Sequence, residues 1–117
     1  MVCSFITAAI LALGLTTASA EPLDPGQTAT VQGLYRLCKR NDDSKAFTFC
    51  VAYLAGVAET LRVQGIGGAK IFSICGTPTY GDTVQAFVDW AEANPSEWQD
   101  GRLVGVITAL SKKWPCR

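Results

Sequence analysis

The sequence predicts an all-α protein, a compact bundle of about four helices stapled by two disulfides. Apolar residues recur at i, i+3, i+4 and i+7 in separate stretches, and each stretch is bounded by residues that start or stop helices. Four cysteines, Cys38, Cys50, Cys75 and Cys116, are spread over these stretches behind an export-type leader. An even set of cysteines in a short exported chain reads as a disulfide framework.

The leader runs from Phe5 to Leu15 as an apolar core, followed by Ala18-Ser19-Ala20, an A-x-A cleavage site before Glu21. We expect residues 1–20 to be a signal peptide cleaved after Ala20, although no Lys or Arg precedes the apolar core. Cys3 lies ahead of that core and leaves with the leader. Residues 21–117 then form one domain, with no further apolar run read as long enough to span a bilayer. A domain of this size has a limited core, and two disulfides add about 2 to 4 kcal/mol each.

After an arm at Glu21 to Gln27, Val31, Leu34, Tyr35 and Cys38 mark the first helix, placed at Thr28 to Lys39. Arg40 to Asp43 break it, and Asp43 or Ser44 can cap the second. Phe47, Cys50, Val51, Leu54, Val57, Ala58 and Leu61 carry that helix from Ser44 to Gln64, where Gly65 is expected to stop it. Lys70 to Cys75 alternates weakly, but no second strand exists for it to pair with, so a loop or short turn is expected. Thr79-Tyr80-Gly81-Asp82 has the form of a capping box opening a third helix, with Val84, Phe87, Val88 and Ala91 inward and Asn94-Pro95 closing it. Ser96 to Trp98 read as a single turn. Asp100 is the expected cap of a last helix in which Leu103, Val104, Ile107 and Leu110 face inward, ended by Trp114-Pro115-Cys116.

Four cysteines allow three pairings. Two antiparallel helix pairs would join Cys38 to Cys50 and Cys75 to Cys116, the arrangement we favour. The stretch from Gly65 to Cys75 is also long enough to retrace the second helix, which would bring Cys50 to Cys75.

Much chemistry is excluded. The chain has no histidine, so a nucleophile of the triad type lacks its usual base. The cysteines are separated by 11, 24 and 40 residues, without the close pairs of a zinc knuckle, and no metal or cofactor is expected. Ten acidic and ten basic residues balance to zero, which gives no basic surface for nucleic acid. Asp89 with Glu92, and Asp42 with Asp43, are carboxylate pairs that read as solvated faces or caps rather than as a glycosidase pair. Gly65-Ile66-Gly67-Gly68 follows a helix and lacks a P-loop Lys-Ser/Thr, so it is a helix stop rather than a phosphate loop. Tyr53, Trp90, Trp98 and Trp114 are mostly required by the core, with Trp98 the first candidate for an exposed anchor.

The ordered series Gly33-Leu34-Tyr35 with Cys38, Phe49 to Val57, Cys75-Gly76-Thr77-Pro78, Val88 and Trp90 with Asn94-Pro95, and Ala109-Leu110 leading to Trp114-Pro115-Cys116 resembles the Rap/Tai immunity-protein family. The resemblance covers Val31 to Cys116. It implies a small, all-helical, non-enzymatic periplasmic protein that binds and inhibits a peptidoglycan amidase effector of type VI secretion; several members are homodimers. Partner contacts are expected in exposed loops, first at Gly65 to Lys70, with Ile66 and Lys70, and at Asn94 to Gly101, with Trp98. The rival reading is a helical envelope or stress protein that shares the scaffold without a toxin partner.

Overall fold

The computed structural model describes Gly14 and residues 28–117. The leader core, its cleavage after Ala20 and Cys3 lie outside the described residues. Four helices follow in order, α1 (Val31–Lys39), α2 (Ser44–Ile66), α3 (Tyr80–Ala93) and α4 (Arg102–Lys113), with a 3-10 turn at Pro95–Glu97 between the last two. Among the described residues there is no strand; an isolated bridge joins Thr30 to Gly101.

Capping residues set the helix starts. Thr30 is extended and its hydroxyl accepts from the Gly33 N–H at 3.0 Å, so α1 begins at Val31 rather than at Thr28. The Asp43 carboxylate accepts from the Lys45 and Ala46 N–H groups at 3.0 and 3.2 Å, opening α2 where expected. Thr79 and Asp82 form the full reciprocal capping box of α3. The cap of α4 differs from expectation: Gly101, not Asp100, occupies it, with no side-chain bond. There the backbone supplies the partners, because Arg102 N–H donates to Ala29 O at 2.8 Å while Asp100 O accepts from Val31 N–H at 2.9 Å. The starts of α1 and α4 thus satisfy one another.

The core is a single cluster drawn from all four helices plus Ile74, with Phe87, Leu34, Leu54, Leu110, Val31 and Val106 fully enclosed. Cys38 is disulfide-bonded to Cys50 and Cys75 to Cys116, with Cα–Cα distances of 5.2 and 4.9 Å. The favoured pairing is the one formed.

On α4 the inward face is Gly105, Val106, Ala109 and Leu110, whereas Leu103 and Val104 are exposed. This corrects the expected stripe, and Gly105 supplies the reason. A Cβ there would overlap Val31 Cγ2 and come within 3.1 Å of Trp90. The helix therefore turns its bare glycine to α1 and α3, and Leu103 and Val104 rotate outward.

Helix α2, at 23 residues, is long and apolar enough by composition to cross a membrane, which corrects the expectation that no run past the leader is. In the bundle its stripe Ala46, Cys50, Leu54, Ala58 and Leu61 is buried. Arg102 clamps its other side, the guanidinium lying 4.7 Å from the Tyr53 ring centroid and 5.5 Å from that of Phe49. The same guanidinium donates to the carbonyl and hydroxyl oxygens of Thr28 at 3.0 and 2.9 Å.

Candidate functional site: the loop between α2 and α3

Gly65 was expected to end α2, yet the helix continues to Ile66 and is capped by Gly67. Gly65 has a different task. A Cβ on it would overlap the Ile74 carbonyl oxygen and lie 3.0 Å from Cys116 Sγ. Its missing side chain lets the returning segment cross the helix at close range. Ser73 and Ile74 are buried at that crossing, and Ile74 N–H donates to Leu61 O at 3.2 Å. Cys75 then bonds to Cys116 and donates its N–H to Trp114 O at 3.0 Å.

The loop is consequently anchored at both ends while its middle is exposed. Val63 and Ile66, on the last turn of α2, are 69 and 80% exposed, and Ile71 and Phe72, in the loop itself, are 73 and 62% exposed. Phe72 has φ 51°, inside the left-handed region that a bulky aromatic side chain seldom adopts. Lys70 Nζ donates to Arg117 O at 2.7 Å, a second tie between the loop and the C-terminal segment. Between residues 70–73 and the outer side of α4 lies a groove of about 400 Å³, walled by Ile71, Phe72, Ile107 and Pro115.

Of the three residues expected to contact a partner, Ile66 closes α2 and Lys70 lies in the loop that follows, both exposed. Trp98 is not. It is half-buried, its indole N–H donates to Ala91 O at 2.7 Å, and its ring lies 5.3 Å from that of Tyr35. This corrects the expectation of an exposed anchor: the turn at Pro95–Glu97 folds the indole back across α3 and α1. Sequence reasoning did not single out Val63, Ile71 and Phe72. The available signal was that Val63 and Ile66 fall off the helical stripe ending at Leu61, and that two large apolar residues stand beside a glycine-rich stretch.

The carboxylates occupy ordinary structural posts. Glu92 accepts from Tyr35 Oη at 2.9 Å and from Lys39 Nζ at 3.4 Å, and that Tyr35 bond is the main cause holding the phenol above its usual range. Asp89 accepts from Gln85 Nε2 at 2.7 Å. The neighbouring Asp100 carboxylate raises the Glu97 carboxyl above the usual range, first by favouring its protonated, hydrogen-bonding form and then by charge repulsion. The backbone N–H of Thr79 is the first cause depressing Asp82. Among the described residues no three of His, Cys, Asp or Glu gather as a metal site.

These features define a class: a small helical protein, cross-linked by two disulfides, that holds out an apolar loop on a rigid base. The chain belongs to the Rap1a immunity proteins, whose family model matches residues 30–116. No curated protein and no solved structure matches it significantly. Membership makes it an immunity protein directed against an effector, in a family that is generally non-catalytic.

Proposed function

We propose that this protein acts in the periplasm, where it binds a peptidoglycan amidase effector of type VI secretion and blocks its activity. The observation that carries the reading is the set of exposed apolar residues at the end of α2, Val63 and Ile66, and on the loop after it, Ile71 and Phe72, a loop pinned by Cys75–Cys116 and by the crossing at Gly65. A loop already held in shape loses less entropy on binding than a free one, so its apolar contacts convert more fully into affinity. Exposed apolar surface of this kind marks interaction sites. The predicted signal peptide and the disulfides suit an oxidising compartment.

The test uses the oxidised domain from residue 21 onward and a purified type VI peptidoglycan amidase, with any such amidase encoded beside it as first choice. Stoichiometric capture with loss of peptidoglycan cleavage is expected. No capture of the amidase, with its cleavage rate unchanged, overturns the reading. Cell fractionation checks the compartment, with the processed protein expected in the periplasmic fraction.

A further inference from the structure

We propose that the Cys75–Cys116 bond is a thiol–disulfide exchange site: a dithiol reductant entering beside Cys75 opens it in the folded protein and frees the loop between α2 and α3, while Cys38–Cys50 stays closed. The consequence for amidase capture rests on the function proposed above; the order in which the two bonds open does not.

Burial separates the two bonds. Cys38 and Cys50 are 5 and 0% exposed and belong to the core cluster, so a thiol reaches them only when the bundle opens. Cys75 is exposed and Cys116 half-buried, and neither belongs to that cluster. Exchange requires a thiolate to reach a sulfur, and access is one of the factors that set its rate. A cleft of about 310 Å³, lined by Ile66, Ile74, Gly76 and Thr77, opens beside Cys75. Cys116 is covered on the side of α2, where a Cβ on Gly65 would stand 3.0 Å from its Sγ. Cys75 is therefore the sulfur attacked and Cys116 the one that leaves.

The reaction balances with the dithiol as its reductant. One thiolate of the dithiol attacks Cys75 Sγ and forms a mixed disulfide; the Cys75–Cys116 bond breaks with its electron pair on Cys116, which takes up a proton. The second thiol of the dithiol then loses its proton and closes on the first sulfur, expelling Cys75 as a thiolate that is protonated in turn. The protein gains two electrons and two protons, and the dithiol becomes a disulfide.

Opening this bond loosens the loop and spares the fold. Residues 70–75 are then held by the burial of Ser73 and Ile74, by the bonds from Ile74 N–H to Leu61 O and from Cys75 N–H to Trp114 O, and by the tie from Lys70 to Arg117. Phe72, at φ 51°, stands three residues before Cys75, and a strained backbone persists only while its surroundings enforce it. The helices keep their shared core and the Cys38–Cys50 bond.

The test treats the purified, oxidised protein with dithiothreitol under native conditions, caps free thiols with iodoacetamide at intervals and maps them by peptide mass spectrometry. Cys75 and Cys116 are expected to be capped at least about tenfold sooner than Cys38 and Cys50, with the far-UV circular dichroism unchanged. Brief treatment with glutathione, a monothiol that cannot close a ring, should leave its mixed disulfide on Cys75. Hydrogen exchange at the Ile74 and Cys75 amides should quicken by about tenfold or more after reduction, and that in the middle of α2 should not. Protein capped at Cys75 and Cys116 alone, freed of reductant, should capture the amidase about tenfold more weakly than the oxidised protein. Opening of both bonds together, loss of the helical signal, a glutathione adduct on Cys116 in place of Cys75, unchanged exchange at Ile74 and Cys75, or undiminished amidase capture by the capped protein overturns the proposal. Failure of the oxidised protein to capture the amidase, with the order of opening as expected, removes the function proposed above and leaves the exchange site standing.

Discussion

The two ends of α2 use the same device for different purposes. At the N-terminal end Ala46, Cys50 and Leu54 are buried, Asp43 caps the helix through its side chain, and the Cys38–Cys50 bond lies inside the core. At the C-terminal end Val63 and Ile66 are bare, the cap is a glycine, and the nearby bond runs between an exposed Cys75 and a half-buried Cys116. One cross-link reinforces residues that burial already holds. The other holds a loop whose side chains face water, where little else would fix its shape.

The largest effects should come from removing each bond in turn. Loop-closure entropy gives about 3 kcal/mol for the short Cys38–Cys50 ring and about 4 kcal/mol for the longer Cys75–Cys116 ring, to which the buried pair adds a cavity term. In denaturant titrations the two double alanine variants should therefore lose similar stability. Binding separates them. Among folded molecules, Cys75→Ala with Cys116→Ala should weaken amidase capture by about tenfold or more, whereas Cys38→Ala with Cys50→Ala should leave it unchanged. Equal losses of binding would break the distinction.

Phe72→Ala comes next, with about 2 kcal/mol of binding lost in calorimetry, the size of an interface hot spot, and no loss of folding stability. Phe72→Gly should lose the same binding while raising stability by about 1 kcal/mol, because glycine accepts the left-handed conformation without strain. A stable variant that still binds would remove Phe72 from the contact surface.

The smallest effect sharpens the other end. The Ala46 and Lys45 N–H groups and the nearby Arg40 and Lys45 charges together hold the Asp43 carboxyl below its usual range, the Ala46 bond being the largest contribution. The folded state therefore favours the ionised form. Its contribution is present above the ordinary carboxylate range and is lost as pH falls through the depressed folded value. Asp43→Asn keeps the cap acceptor and should flatten this part of the acid-side decline in denaturation midpoint, without touching amidase binding.

The sequence made some of this plain and hid the rest for identifiable reasons. Helix starts were readable where side chains form the cap, as at Asp43 and in the Thr79–Asp82 box. They were misread at α4, where the backbone of residues 29–31 does the capping from far away in sequence. The disulfide pairing favoured from antiparallel helix pairs is the one formed, although the spacing alone left Cys50 with Cys75 open. The face of α4 was misread, because its deepest contact is Gly105, which carries no hydropathy signal. Gly65 was likewise read as a stop signal when its role is to let Ile74 and Cys116 approach. Lys70 was legible as a loop residue, Ile66 instead closes α2, and Phe72 depends on a backbone angle that no composition reports. Trp98 looked like an anchor because large aromatic residues in short turns often are, and only the fold shows its N–H committed to Ala91.

The bond between Cys75 and Cys116 also makes a covalent ring of everything from the start of the α3 capping segment to the end of α4. A protease that cuts the chain anywhere in that ring, including the exposed turn after α3, leaves both fragments attached to one molecule. Such a nick would release no piece in a non-reducing gel and would spare the loop's attachment to its base. The loop between α2 and α3 is thus joined to the end of α4 by two covalent routes rather than one.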